Sequence, residues 1–329
     1  MIARVADHCF WFGRYLERAE GTARLLQVTA ALALDAELSP QQCWHPVVIT
    51  SGEEERFVQA RGNAALADGE AVQEYLTFAP QTLACIRASV AAARENGRSI
   101  REVISLEAWE AVNELHLWLG SPAAHEEYAE LRYSFYKRVR REVQLCQGLV
   151  RGTMLADAPL DFIWLGTLLE RLGQTARILD VHHHAFSDAA SADPARGVVE
   201  TALWLSLLRA CYGFEPFMKS HRGAVTGQAV AAFLIFQKRF PRSVKHCLGS
   251  ARQRLWTIRP PERLDQSPGL RALERLRALD EWLDDRAKEP LDRVAVHALL
   301  TQVVDETHAA CGEISEDLLG SAIVPVPVA

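Results

Sequence analysis

The chain has 329 residues, an apolar share of 49%, and 36 Lys and Arg against 42 Asp and Glu, for a net charge of −6. That length supports a core without disulfides or metals, that apolar content excludes bulk disorder, and the net negative charge argues against non-specific nucleic-acid binding. No apolar run reaches the ~18 residues of a membrane span, and the charged N-terminus lacks the apolar stretch of a secretory signal. The seven cysteines are odd in number, scattered and never spaced as CxxC, which reads as reduced, buried thiols. A cytoplasmic protein without membrane or nucleic-acid partners is expected.

Taken in chain order, apolar residues at three- and four-residue intervals predict helices over 3–35, 68–104, 106–119, 126–155, 159–184, 197–220, 228–236, 241–257, 268–286 and 290–318. Breakers stand between them: Ser39-Pro40, Gly120-Ser121-Pro122, Pro159, Asp193-Pro194, Pro260-Pro261, Ser267-Pro268 and Pro290. No stretch alternates at period two, so the fold class is all-α. Phe186–Gly197 reads as a linker, and Ile323–Ala329 (IVPVPVA) reads as an extended tail.

An internal repeat organises the chain. Phe10–Val28 aligns without gaps to Ile163–Val181, 153 residues later, with ten of 19 positions identical. A weaker echo follows at an offset of 158, where Val72, Tyr75, Leu76, Phe78, Ile86, Val90, Ala93 and Arg94 match Val230, Phe233, Leu234, Phe236, Val244, Leu248, Ala251 and Arg252. Two matches in one order at nearly one offset predict an internally duplicated multi-helix bundle. The first repeat unit is assigned to residues 1–155, the second to 156–320, and the tail to 321–329.

On a helical wheel of the first copy, Phe12, Tyr15, Leu16, Ala19, Ala23 and Leu26 form a core stripe, while Arg14, Glu17, Arg18, Gly21 and Arg24 share the other side. Glu170, Arg171, Gln174 and Arg177 take the same arc in the second copy. Two readings stand: a face laced with ion pairs one turn apart, each contributing about 0.2–0.5 kcal/mol, or two Glu-Arg pairs turned into one shared cleft.

Two further clusters are basic. Arg87, Arg94, Arg98 and Arg101 fall at spacings of 7, 4 and 3 on the helix predicted from 83 to 104, flanked by Glu95 and Glu102. They form either a compensated surface helix or an anion-binding stripe, for which the planar guanidinium is well suited. From Lys219 to Arg259 nine Lys and Arg occur with no Asp or Glu. There Arg242, Lys245 and Arg252 lie opposite the apolar face of Val244, Leu248, Ala251 and Leu255, as a solvated basic face or a dock for an acidic partner. Phosphate-loop, dinucleotide, HExxH and GxSxG motifs are missing from the sequence. His182, His183 and His184 are consecutive and would point three ways on a helix, so no metal site is assigned.

The residues around the repeat carry a resemblance. Arg4-Val5-Ala6, Trp11 and Gly13-Arg14-Tyr15-Leu16-Glu17-Arg18-Ala19-Glu20 resemble the opening of the alpha-E domain family. The similarity continues through Ala93-Arg94-Glu95-Asn96, Arg98, Arg101-Glu102 and Trp109, then Glu170-Arg171, Thr175 and Arg177-Ile178-Leu179-Asp180-Val181, and Phe240-Pro241-Arg242-Ser243-Val244. The chain departs from that pattern at Gly97, at the His run, and at Thr167, which stands where an arginine would match Arg14. The resemblance implies an all-helical companion of an ATP-grasp ligase-like protein, often beside a transglutaminase-like peptidase, in a system that forms amide bonds. The chain would then carry no cofactor of its own, the ATP being used by the partner.

On that basis Arg14, Arg18, Arg24, Arg87, Arg94, Arg98, Arg101, Arg171 and Arg177 are expected to bind an acidic or acyl-activated substrate. Glu17 or Glu170 would serve as a general base if burial raises its pKa toward neutrality. The competing expectation is a non-catalytic scaffold whose Glu-Arg pairs are buried bridges and whose Arg242, Lys245 and Arg252 dock the ligase.

Overall fold

The structure is a computed structural model and describes residues 2–35, 38–189, 194–259 and 270–320. In chain order the helices are α1 (Ala3–Asp35), α2 (Pro40–Ser51), α3 (Glu54–Arg61), α4 (Gly69–Phe78), α5 (Ile86–Ser99), α6 (Leu106–Leu119), α7 (Pro122–Glu130), α8 (Arg132–Thr153), α9 (Ala158–Ala189), α10 (Pro194–Ala210), α11 (Phe214–Ser220), α12 (Gly227–Phe236), α13 (Val244–Ile258), α14 (Leu270–Arg286) and α15 (Arg293–Ile314). A single π turn, Ser315–Leu319, follows α15. No strand occurs among the described residues, so the chain is all-helical.

Most boundaries follow local chemistry. Ser105, Ser121, Thr226, Ser243 and Asp292 each accept a backbone N–H of the first turn and so start α6, α7, α12, α13 and α15. The predicted helix over 68–104 divides into α4 and α5. Ala79-Pro80 ends the first piece, and the Cys85 thiol caps the second by accepting from Ala88 N–H. The helix predicted over 126–155 divides at Leu131, and that over 197–220 divides at Tyr212, whose φ of 56° lies in the left-handed region. Helix α2 is not among the predicted helices, because Ser39-Pro40 reads as a breaker; yet Pro40 occupies the first turn, where Ser39 and Gln42 form a capping box, and Pro46 lies within the helix. The expected linker is helical to Ala189 and again from Pro194, and the tail 321–329 lies outside the described residues.

Helices α1 and α9 form the central pair, and a single apolar cluster surrounds them. Their contacts rise in step, from Gly13 against Ile163 to Gly21 against Gln174, so the two helices run parallel. Helices α5, α8, α2 and α10 pack on α1, while α13, α15, α10, α2 and α12 pack on α9. The approach is closest at two glycines. A Cβ on Gly13 would lie 2.1 Å from the Ile163 carbonyl oxygen, and one on Gly166 would lie 2.0 Å from that of Phe10. Only hydrogen fits at either place.

Several local arrangements recur about 158 residues apart. A Cβ on Gly69 would meet the Trp44 ring at 2.4 Å, and one on Gly227 would meet the Trp204 ring at 2.5 Å. The Cys85 thiol donates to the Ala79 carbonyl at 2.8 Å, and the Ser243 hydroxyl donates to the Gln237 carbonyl at 2.7 Å. The Phe57–Tyr75 and Phe217–Phe233 rings meet edge to face at 5.1 and 5.3 Å.

Candidate functional site: two Glu-Arg brackets and one cavity

The repeated Glu-Arg pairs bond across the helix pair and not along each helix. Arg171 Nε and Nη2 donate to Glu17 Oε1 and Oε2, both at 2.9 Å. In exchange Arg18 Nε and Nη2 donate to Glu170 Oε1 and Oε2 at 2.7 and 2.9 Å. Each carboxylate is thus clamped in bidentate fashion by the arginine of the other copy, the strongest geometry open to this pair. Both carboxylates are buried, with Glu17 0% and Glu170 2% exposed. This corrects the reading of a solvated face of intrahelical ion pairs.

A second guanidinium completes each bracket, from a different source on the two sides. Arg14 Nε donates to Glu170 Oε2 at 2.9 Å. Its counterpart Thr167 cannot do so and donates instead to the Ile163 carbonyl at 2.9 Å. Arg242, just before α13, fills that place, with Nη1 donating to Glu17 Oε1 at 2.7 Å and Nη2 to Glu20 Oε2 at 3.3 Å. Gln147 Nε2 donates to Glu17 Oε2 at 3.0 Å.

Burial alone would push the Glu17 carboxyl up, but the Arg171 and Arg242 guanidiniums outweigh it and hold it well below the usual carboxylate range. Glu170 is held down in the same way against burial by Arg18 and Arg14. The expected general base is therefore corrected. A carboxylate locked in its ionised form by two arginines has little affinity for a proton near neutrality.

The brackets lie on opposite sides of the α1–α9 pair and share no cleft. On the Glu17 side the charged groups are packed on one another, with Glu17 and Glu20 both 0% exposed. Glu20 pairs with Arg24, accepts from the Tyr212 hydroxyl at 2.8 Å, and faces Arg140 Nε at 3.7 Å. Arg24 also donates through Nε to the Ala210 carbonyl at 2.5 Å and lies against the Tyr212 ring. Arg24 and Arg171 are therefore closed in.

On the Glu170 side a cavity of about 800 Å³ remains, between α1, α9, α2 and α15. Arg14, Arg18, Glu170 and Arg177 line it, with Trp11, Tyr15 and Leu25 on its α1 wall and the exposed His308 on α15. Arg14 and Arg18 remain 16% and 21% exposed while gripping Glu170. Arg177 differs from both. Among the described residues it has neither a hydrogen bond nor an ion pair, and burial followed by the nearby Arg18 and Arg14 charges lowers its pKa despite the attraction of Glu170.

The remaining expected site residues stand elsewhere. Arg94 donates to Asn113 and pairs with Glu95, Arg98 donates to Glu95 at 2.9 Å, Arg101 stacks over Trp109, and Arg87 is exposed. None of the four lines the cavity, so the α5 stripe and the Glu-Arg brackets are not one site. The basic segment is likewise corrected. Arg242 is sealed against Glu17 and Glu20, Lys245 is 4% exposed and paired with Asp280 at 2.7 Å and Asp284 at 2.9 Å, and Arg252 pairs with Asp280 at 2.8 Å. The acidic residues of α14 cover this face, which leaves no free basic dock at those three residues.

All seven cysteines are free and buried. Burial drives His182 down to about 4, and its Nδ1–H donates to the Ile178 carbonyl. Among the described residues no group of three His, Cys, Asp or Glu could hold a metal, and no helix is long and apolar enough to cross a membrane.

Tyr212, Arg140, Gln147 and Gly173 are not singled out by the sequence, and Glu20 only as the end of the family motif. The available signal was the positions where the repeat copies differ, Glu20 against Gly173 above all, and not those where they agree. No curated protein and no solved structure matches the chain. A family model described as a predicted alpha-helical domain with a conserved ER motif matches residues 1–319. With the Glu-Arg pairs of α1 and α9 built into two reciprocal brackets, the chain belongs to the Alpha-E family.

Proposed function

We propose that the chain is a duplicated helical binding module that holds an anionic substrate in the cavity beside Glu170, while an ATP-grasp ligase-like partner performs amide formation. In this reading the brackets are structural and the cavity is functional. The partner uses the ATP, the module carries no cofactor, and both work in the cytoplasm, with a transglutaminase-like peptidase in the same system. Duplication is supported by the reciprocal brackets, by Gly13 and Gly166 in exchanged contacts, and by the recurrence of α4 and α12 as ten-residue helices beginning 158 residues apart. The observation that carries the binding role is Arg177, a guanidinium on the cavity wall that among the described residues forms no hydrogen bond or ion pair with a carboxylate. A desolvated cation left unpaired costs stability, and such residues are retained where a ligand completes them.

The test is Arg177→Met, which keeps the length and removes the charge. Amide formation by the reconstituted pair should fall at least ~10-fold, the effect of one charge-assisted contact, while the melting temperature of the module stays level or rises. Full activity with the methionine variant would refute the binding role.

A further inference from the structure

We propose that the group held at Arg177 is a single ligand carboxylate, seated where Gly173 withholds the side chain that Glu20 supplies on the opposite face. This rests on the binding role proposed above and names its chemistry. The argument compares corresponding positions on the two sides of the α1–α9 pair.

Glu20 and Gly173 are 153 residues apart, as are Arg24 and Arg177. On the closed face Glu20 reaches Arg24 one turn further along α1, and Tyr212 and Arg242 bond the same carboxylate. Tyr212 corresponds to Gly52. Both take a left-handed φ, 56° and 72°, and both donate their N–H three residues back, to Arg209 and Ile49. The next N–H in each case reaches five residues back, Gly213 to Leu208 and Glu53 to Val48. Arg242 corresponds to Ala84, since each directly precedes the residue that caps the following helix, Ser243 or Cys85. So the three side chains that close one face, Glu20, Tyr212 and Arg242, are Gly173, Gly52 and Ala84 on the other. All three small residues line the cavity.

What remains is the arginine. A Cβ at position 173 would stand 3.2 Å from Arg177 Nη1, so a carboxylate one or two bonds further on reaches the guanidinium as Glu20 reaches Arg24. The charge count favours one carboxylate over a phosphate. Arg14 and Arg18 are already engaged by Glu170, which leaves one uncommitted guanidinium and places a carboxylate nearby to repel a second negative charge. The body of the ligand would extend along Gly52 and Ala84, into the volume that the Tyr212 ring and the Arg242 stem occupy on the other face. Trp11, Tyr15 and Leu25 offer it an apolar wall.

The experiment restores the missing group in two ways. Gly173→Glu supplies the carboxylate within the chain, and Gly173→Gln supplies the same shape without charge. At pH 7 the Glu variant should melt about 2 °C or more above the Gln variant, and adding Arg177→Met should abolish the difference. Propionate, the glutamate side chain as a free molecule, should raise the melting temperature of the wild-type chain above sodium chloride at equal ionic strength. It should do nothing for Gly173→Glu or for Arg177→Met. A Glu variant that melts no higher than the Gln variant overturns the carboxylate assignment. Inorganic phosphate that stabilises the wild type through Arg177 where propionate does not also overturns it, yet leaves the anion-binding role standing. If neither anion stabilises the wild type and the Glu and Gln variants melt alike, both fall.

Discussion

The two faces of the α1–α9 pair begin from nearly the same residues and end in opposite states. On the Glu17 face, Arg171, Arg242, Arg24, Tyr212 and Gln147 answer Glu17 and Glu20, and both carboxylates are 0% exposed. On the Glu170 face the same bracket stands, but small residues replace the plug and Arg177 looks onto a cavity of about 800 Å³. The comparison separates two jobs that the Glu-Arg pairs alone do not distinguish. The bracket, present on both faces, fixes helix against helix. The plug, present on one face, decides whether there is room for a ligand.

The largest expected effect breaks the bracket itself. Glu17→Gln leaves Arg171 and Arg242 buried without their anion, and removing one partner of such a pair costs about 3–5 kcal/mol. Glu170→Gln should cost roughly half as much, because Arg14 and Arg18 are 16% and 21% exposed against 11% for each of Arg171 and Arg242, and can turn to water in the cavity. Chemical denaturation measures both, and equal losses would erase the distinction between the faces. Acid should reveal the same carboxylates. Glu17, Glu20 and Glu170 are all held below their ordinary value when folded. Their stabilisation is therefore complete above the unfolded carboxyl value of about 4.3 and is lost as pH falls below it. In a melting series from neutrality downward, the gap between wild type and Glu17→Gln should narrow below that value. A constant gap would mean that Glu17 contributes shape and not charge.

A smaller effect probes what the faces share. Gly13→Ala and Gly166→Ala each drive a methyl into a carbonyl oxygen across the pair, at 2.1 and 2.0 Å. Backbone cannot yield as a side chain can, so each should destabilise by about 1–3 kcal/mol, the usual cost of overpacking. The two losses should be similar, since each contact sets a glycine against a carbonyl oxygen of the other helix at nearly the same distance. Unequal losses would show that the helices do not share one geometry at that crossing.

The helical class was legible because apolar spacing and caps such as Ser105 and Ser243 are local signals. So was the importance of Glu17, Arg18, Glu170 and Arg171, because the identical stretch of the repeat contains them. Their partners were not. A wheel places Glu17 near Arg14 and Arg18 on its own helix, whereas the actual partner, Arg171, lies 154 residues away. Only the parallel packing of α1 on α9, which the close contact at Gly13 and Gly166 permits, puts the two together. The acid-free basic stretch from Lys219 to Arg259 misled for a related reason. Its neutralising carboxylates, Asp280 and Asp284, belong to α14, outside the window in which the imbalance was counted.

The smallest expected effect tests the arginine stripe of α5, which by sequence had as strong a claim to the substrate as Arg177. Arg98 is exposed and donates only to Glu95, itself exposed and one turn away. Water can replace that pair at little cost, and exposed pairs commonly contribute less than about 1 kcal/mol. Arg177 has the opposite circumstances, a half-buried position on the cavity wall and, among the described residues, no hydrogen bond or ion pair to an anion. Arg98→Ala should therefore leave both the melting temperature and any stabilisation by propionate unchanged, while Arg177→Met should abolish the second without lowering the first. If Arg98→Ala weakened the propionate response as much as Arg177→Met does, the open face would extend beyond the cavity to α5. The site would then have to be redrawn around the stripe.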